Sequence, residues 1–181
     1  MKQKLRELFS WIICIAIALC VAYLTVTYIA QITQVVGDSM MNTLQDEDKL
    51  IMDKISYGFR EPKRFEIIVF PYRHKEKETY VIKRIIGLPG ETVQIKEGYV
   101  YINEKKLDES YGLEVIEEDN YGIAAEPITL GENEYFVLGD NRNNSTDSRV
   151  PDVGPIHKTE IEGRAWVRIW PFDSFGVLSH D

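Results

Sequence analysis

From Leu8 to Gly37 the chain carries no charge at all, and this run constrains the molecule more than any other feature. Within it, Trp11–Ala30 is apolar but for Thr25 and Thr27, with tyrosine counted as apolar. A helix rises about 1.5 Å per residue, so this stretch spans about 30 Å, the hydrocarbon thickness of a bilayer. Lys2, Lys4 and Arg6 stand just before it, which predicts a cytoplasmic N-terminus and an outer location for all that follows. A cleavable signal peptide is the rival, but its apolar region runs to only about 7–15 residues and ends on small side chains. Here the run is longer, and Tyr23, Tyr28 and Ile29 crowd its outer end. The expectation is a cytoplasmic end at residues 1–7, an uncleaved transmembrane anchor over 8–32 and an extracytoplasmic domain over 33–181.

The net charge of −8 is unevenly placed: residues 1–36 carry +2, which leaves −10 on the remainder. Such a surface repels a phosphate backbone, so nucleic acid is excluded as a partner. The two cysteines, Cys14 and Cys20, both fall in the apolar run and read as filler there. Without a CxxC or Cys/His cluster, neither a zinc site nor a disulfide framework is expected.

After Gly37, short apolar runs alternate with turn signals, the pattern of a mainly β fold. Phe65–Phe70 reads as a strand ending before Pro71, and Thr79–Gly87 as a second, closed by Leu88-Pro89-Gly90. Thr92–Lys96 and Tyr99–Asn103 read as a hairpin about Lys96-Glu97-Gly98, the glycine supplying a positive φ. Glu134–Leu138 and Arg164–Trp170 are further strands. Residues 104–133, acidic and turn-rich, read as a looser excursion, and Arg73–Lys77 as a solvated loop.

Three places can carry chemistry. Side chains alternate along a strand, which puts Lys83 on one face with Val81 and Ile85. Burial among them would disfavour the ammonium and leave a neutral amine able to act as a general base. On the strand pattern alone, a lysine that snorkels to solvent accounts for the same residues. Next, Gly37-Asp38-Ser39-Met40-Met41 sets a hydroxyl on a glycine turn just past the apolar run. Such a turn can aim backbone N–H groups at one point, as an oxyanion hole requires, although most Gly-x-Ser triplets are ordinary turns. Met40 and Met41 read as core or surface filler, or as residues that dip into the lipid interface. Last, Gly139–Arg149 (GDNRNNSTDSR) is too polar to be buried unpaired and predicts a hydrogen-bonded, ion-paired network, or else an exposed polar loop.

These pieces, in this order, resemble the type I signal peptidases of bacteria, membrane-bound Ser–Lys endopeptidases, in their short Gram-positive form. The resemblance spans nearly the whole chain: the anchor, then GDSMMNTL, DKLIMDKISYGF, YVIKRIIGLPGE and GDNRNNSTDSR. It implies a mainly β fold of signal-peptidase type, with one N-terminal transmembrane helix before an extracytoplasmic catalytic domain. It implies Ser39 as nucleophile, Lys83 as general base, and Ser145 as the residue that hydrogen-bonds and orients the lysine. The oxyanion would be held by the Ser39 N–H and a neighbour in the Gly37 turn. Asp140, Arg142, Asp147 and Arg149 would support the site through ion pairs. The implied activity is removal of signal peptides from exported preproteins at the outer face of the cytoplasmic membrane, with small residues at −1 and −3 of an extended substrate. The implied partners are those preproteins, the lipid bilayer and the secretion translocon, with no cofactor and no metal.

Two departures from the family pattern bear on activity. Asn42 stands where the family has proline, and the loss of a fixed φ predicts a more loosely held nucleophile that Asn42→Pro would restore. Gly37 stands where some members place a hydroxyl, so the oxyanion hole would rest on backbone N–H groups alone. A catalytically impaired homologue that binds signal sequences without cutting them is the alternative. A histidine mechanism has only His74, His157 and His180 to draw on, and no motif sets any of them against Ser39.

Overall fold

The computed structural model describes residues 2–74, 77–112 and 114–178. A helix, α1 (Lys2–Leu24), continues through a wider turn at Thr25–Ile29. Among the described residues, Phe9–Ile29 is the one helical stretch long and apolar enough to cross a membrane. Its end falls earlier than the expected boundary at residue 32. Residues 30–34 leave the helix as β1 (Ala30–Gln34), paired antiparallel with β2 (Lys49–Asp53). The absence of charge hid this change, because a short edge strand and an apolar helix end share the same residue types.

Two antiparallel sheets follow. The larger contains β3 (Ile67–His74), β4 (Lys77–Gly87), β9 (Glu134–Leu138), β10 (Ile156–His157), β11 (Gly163–Trp170) and β12 (Gly176–Val177) beside β1 and β2. Its order is β1-β2-β11-β3-β4-β9-β10, with β12 on β11. The smaller sheet joins β5 (Thr92–Lys96), β6 (Tyr99–Ile102), β7 (Lys105–Lys106) and β8 (Ile128–Thr129). The expected hairpin is present, and both Glu97 (φ 53°) and Gly98 (φ 79°) are left-handed, as a two-residue turn of this hand demands.

Strand β3 runs on through Pro71, whose ring tolerates its place opposite Tyr80, and Arg73 and His74 close the strand where a loop was expected. His180 lies outside the described residues.

Among the described residues, three apolar clusters hold the domain. Alternate residues of β3 enter different ones: Ile67 and Val69 pack with Met40, Leu44, Leu50 and Ile82, whereas Ile68 and Phe70 pack with Ile85, Tyr135 and Val137. Both faces of β3 and β4 are therefore covered, which explains near-continuous apolar runs where one-sided burial would give clean alternation. A third cluster, with Ile86, Val93, Ile95, Phe136 and Leu138, fills the space between the sheets. Phe136 is fully buried there, so Phe136→Ala is expected to cost about 3–5 kcal/mol of unfolding free energy in a denaturant titration.

Candidate active site

Ser39 rides on the long connection between β1 and β2. A short turn carries it: Met41 N–H donates to the Asp38 carbonyl (3.1 Å), and Thr43 and Leu44 N–H to the Met40 carbonyl (3.1 and 2.8 Å). Met40 and Leu44 sink fully into the core, which fixes the turn from below and leaves Ser39 above it. Met40 is thus core and not a lipid-facing residue; Met41 is exposed.

Asn42 occupies the left-handed region at φ 83°. Asparagine is among the few residues that tolerate this conformation, and proline, locked near −65°, cannot reach it. The turn is held by its own geometry, which corrects the expectation that proline would restore it. Asn42→Pro is expected to lower stability by more than about 1 kcal/mol and to reduce activity, with Asn42→Gly close to the parent in both Tm and turnover.

Lys83 lies in β4 opposite Ile68, 3% exposed. Its Nζ donates to Ser39 Oγ at 2.7 Å and bends back to the Ile82 carbonyl at 3.0 Å, so the snorkelling alternative fails. Burial pushes its pKa down to about 8; Asp147 and Asp140 pull upward and Arg149 downward by smaller amounts. The folded pKa lies below the usual 10.5, so between those values the folded chain binds fewer protons than the unfolded one. Stability therefore rises with pH across that window, and the buried ammonium destabilises the fold most below pH 8. Lys83→Met should raise Tm at pH 6, by the equivalent of up to about 3 kcal/mol, with the gain fading toward pH 11.

The polar loop after β9 forms the expected ion-paired network. Asp140, fully buried, accepts from Arg84 Nε (2.8 Å), Arg84 Nη2 (2.7 Å) and Thr43 Oγ1 (2.6 Å). Asp147 accepts from Arg149 Nε and Nη2 (2.8 Å each) and from the Gly139 N–H (3.0 Å). Arg142 donates from Nε to the Gly139 carbonyl (3.0 Å) and pairs with Glu109 at 2.6 Å through each terminal nitrogen. Asn141 clamps the serine turn, its N–H on the Ser39 carbonyl (3.0 Å) and its amide on the Asp38 carbonyl (3.2 Å). Gly139 is required at its position: an added Cβ would lie 2.5 Å from the Ser39 carbonyl oxygen and 2.3 Å from Ser145 Oγ.

Two expected contacts differ. The buried Ser145 Oγ has no hydrogen-bond partner among the described residues, so it lies beside the site without bonding Lys83. The Gly37 N–H is taken by Asp46 Oδ1 at 2.8 Å and is not available to an oxyanion; Gly37 itself sits at φ 85°. Arg84, Thr43, Asn141 and Glu109 were not singled out from sequence. Only Arg84, a cation in an apolar strand, carried a signal that could have found it.

A groove of about 470 Å³ opens over the pair. Thr33–Met40 line one side, Tyr80–Lys83 the other, and Asn143–Thr146 one end. β9 pairs with β4 only from Arg84 onward, so among the described strands Tyr80–Lys83 present an unpaired edge to this groove, as β1 does. Among the described residues no histidine lines it; the exposed His157 instead caps the turn Lys158–Glu160.

A serine hydroxyl bonded to a buried amine, beside an open groove with strand edges on both sides, is equipment for acyl transfer to water. Comparison with known proteins assigns it further: the signal peptidase family, peptidase S26, matches residues 8–170, and the chain belongs to that family. A probable signal peptidase I-2 from Synechocystis sp. is 42% identical over 86% of this chain and 70% of its own length. Signal peptidase I from Bacillus licheniformis is 37% identical over 94% of this chain and 93% of its own. A crystal structure of a signal peptidase I from Enterococcus faecalis is 37% identical, covering 58% of this chain and 97% of that one with a TM-score of 0.47.

Proposed function

We propose that the chain removes signal peptides from exported preproteins at the outer face of the cytoplasmic membrane, with Ser39 as nucleophile and Lys83 as general base. Signal-peptide removal is the activity of its family, and an inactive, binding-only form has no support. The observation that carries the chemistry is the 2.7 Å bond between an amine held near pKa 8 and the Ser39 hydroxyl.

Neutral Lys83 takes the Ser39 proton as Oγ attacks the carbonyl of the −1 residue. The Ser39 N–H faces the resulting oxyanion; loss of one such donor typically costs about 10²–10³ in rate. Lys83 then protonates the leaving amine, an acyl-enzyme remains, and the same amine activates water to release it. The substrate lies extended in the groove, adding its backbone to the free edges of β1 and β4. In a strand the −1 and −3 side chains point to the same face, so both meet the same wall of this groove, which supports a joint preference for small residues. The three cations before the helix support a cytoplasmic N-terminus. An anchor through Phe9–Ile29 confines enzyme and preprotein to one surface and raises their effective concentration.

The test is cleavage of a labelled preprotein by the detergent-solubilised full chain. Ser39→Ala and Lys83→Ala should be inactive and His157→Ala unchanged. The parent's kcat should rise with pH through an ionisation near 8, the value of the buried amine, and level off above it. A parent that cleaves equally well with Lys83→Ala would overturn the proposal.

A further inference from the structure

The acidic excursion between β7 and β8, expected to be loose, is fastened to the loop that supports the site. Glu109 grips Arg142 with two 2.6 Å bonds, and their side chains are 12% and 3% exposed. Asn143 is tied at three points: its Oδ1 accepts from Glu117 N–H (2.9 Å) and Asn120 Nδ2 (3.2 Å), and its Nδ2 donates to the Val115 carbonyl (3.0 Å). Arg149 Nη1 donates to the Asn120 carbonyl (2.9 Å), and Ile123 N–H to the Arg149 carbonyl (2.9 Å). The Arg84 guanidinium lies over the Tyr111 ring, 3.6 Å from its centre, and the same ring meets Phe65 at a tilted 49°. None of these excursion residues lines the groove.

We infer that Glu109 is a positioning residue for the Ser39–Lys83 pair, acting through Arg142 on the Gly139 backbone. The route is short. Glu109 orients the guanidinium, and Arg142 Nε holds the Gly139 carbonyl at 3.0 Å. Gly139 in turn packs against the Ser39 carbonyl and Ser145 so closely that no Cβ fits, and its neighbour Asn141 hydrogen-bonds the Ser39 turn twice. A bidentate carboxylate fixes the plane of a guanidinium, which a single hydrogen bond does not. Without Glu109 the loop loses the one of its outer fastenings that acts on Gly139 through Arg142, the cover over Lys83 loosens, and water reaches the amine.

This inference rests on the Ser39–Lys83 reading, and one experiment separates the two. Preprotein cleavage by the solubilised full chain is followed against pH for the parent, Glu109→Gln, Glu109→Asp and Ser39→Ala. Glu109→Gln should lower kcat about 5- to 30-fold with KM within about twofold, since the groove walls stay in place. The ionisation that limits kcat should move upward from the parent's value by about half a unit, because renewed hydration favours the ammonium. Glu109→Asp, which keeps the charge, should recover part of both effects. A Glu109→Gln protein with parental kcat and pH midpoint, whatever its Tm, overturns the positioning role while leaving the dyad standing. A parent no more active than Ser39→Ala overturns the dyad and this inference together.

Discussion

Every part of the site hangs on the buried pair of Arg84 and Asp140. Both side chains are fully removed from solvent, and taking two charges out of water costs several kcal/mol per ion unless every lone pair and proton finds a partner. Here the partners come from three distant stretches of chain. Arg84 is the strand neighbour of Lys83, Thr43 belongs to the turn that carries Ser39, and Asp140 opens the loop after β9. The Phe65 carbonyl and the Tyr111 ring complete the enclosure of the guanidinium. Breaking such a pair leaves an uncompensated buried charge, so the three stretches keep one relative placement. That placement brings an amine and a hydroxyl 44 residues apart to 2.7 Å.

The same enclosure makes Lys83 chemically useful and thermodynamically awkward. A lysine in water is an ammonium at neutral pH and no base at all. Burial that lowers its pKa to about 8 also works against folding, and the surrounding apolar clusters offset that cost. Asp140 and Asp147 hold the value from falling further, with Arg149 opposing them. The ion pairs thus bear on the site twice, as fasteners and as sources of field.

Much of the fold was legible in residues. The strands about Phe65–Phe70, Thr79–Gly87, Glu134–Leu138 and Arg164–Trp170 and the hairpin at Lys96–Gly98 appear where apolar runs and turn residues set them. The lysine's face was legible too, since Val81 and Ile85 share one apolar cluster. β1 was not, because an uncharged edge strand after an uncharged helix gives no change of pattern. The fastening of residues 104–133 was equally hidden: Glu109, Asn120 and Tyr111 have the composition of a solvated loop, and only their remote partners, the loop after β9 for Glu109 and Asn120 and Arg84 with Phe65 for Tyr111, make them otherwise. Asn42 shows the limit of reasoning from a family's residue type, for the backbone angle that decides its meaning is not written in the letter.

The sequence by itself determined an apolar span with cations before it, a β-rich acidic domain after it, and a serine, a lysine and a polar loop in family order. Those are properties of composition, period and motif, which act locally along the chain. Only the tertiary structure decided that Lys83 is buried, that Gly37 spends its N–H on Asp46, that the Ser145 Oγ has no hydrogen-bond partner among the described residues and that Glu109 reaches Arg142. Each of these depends on which atoms from remote segments come within about 3 Å of one another, and a hydrogen bond is lost over a displacement of less than 1 Å.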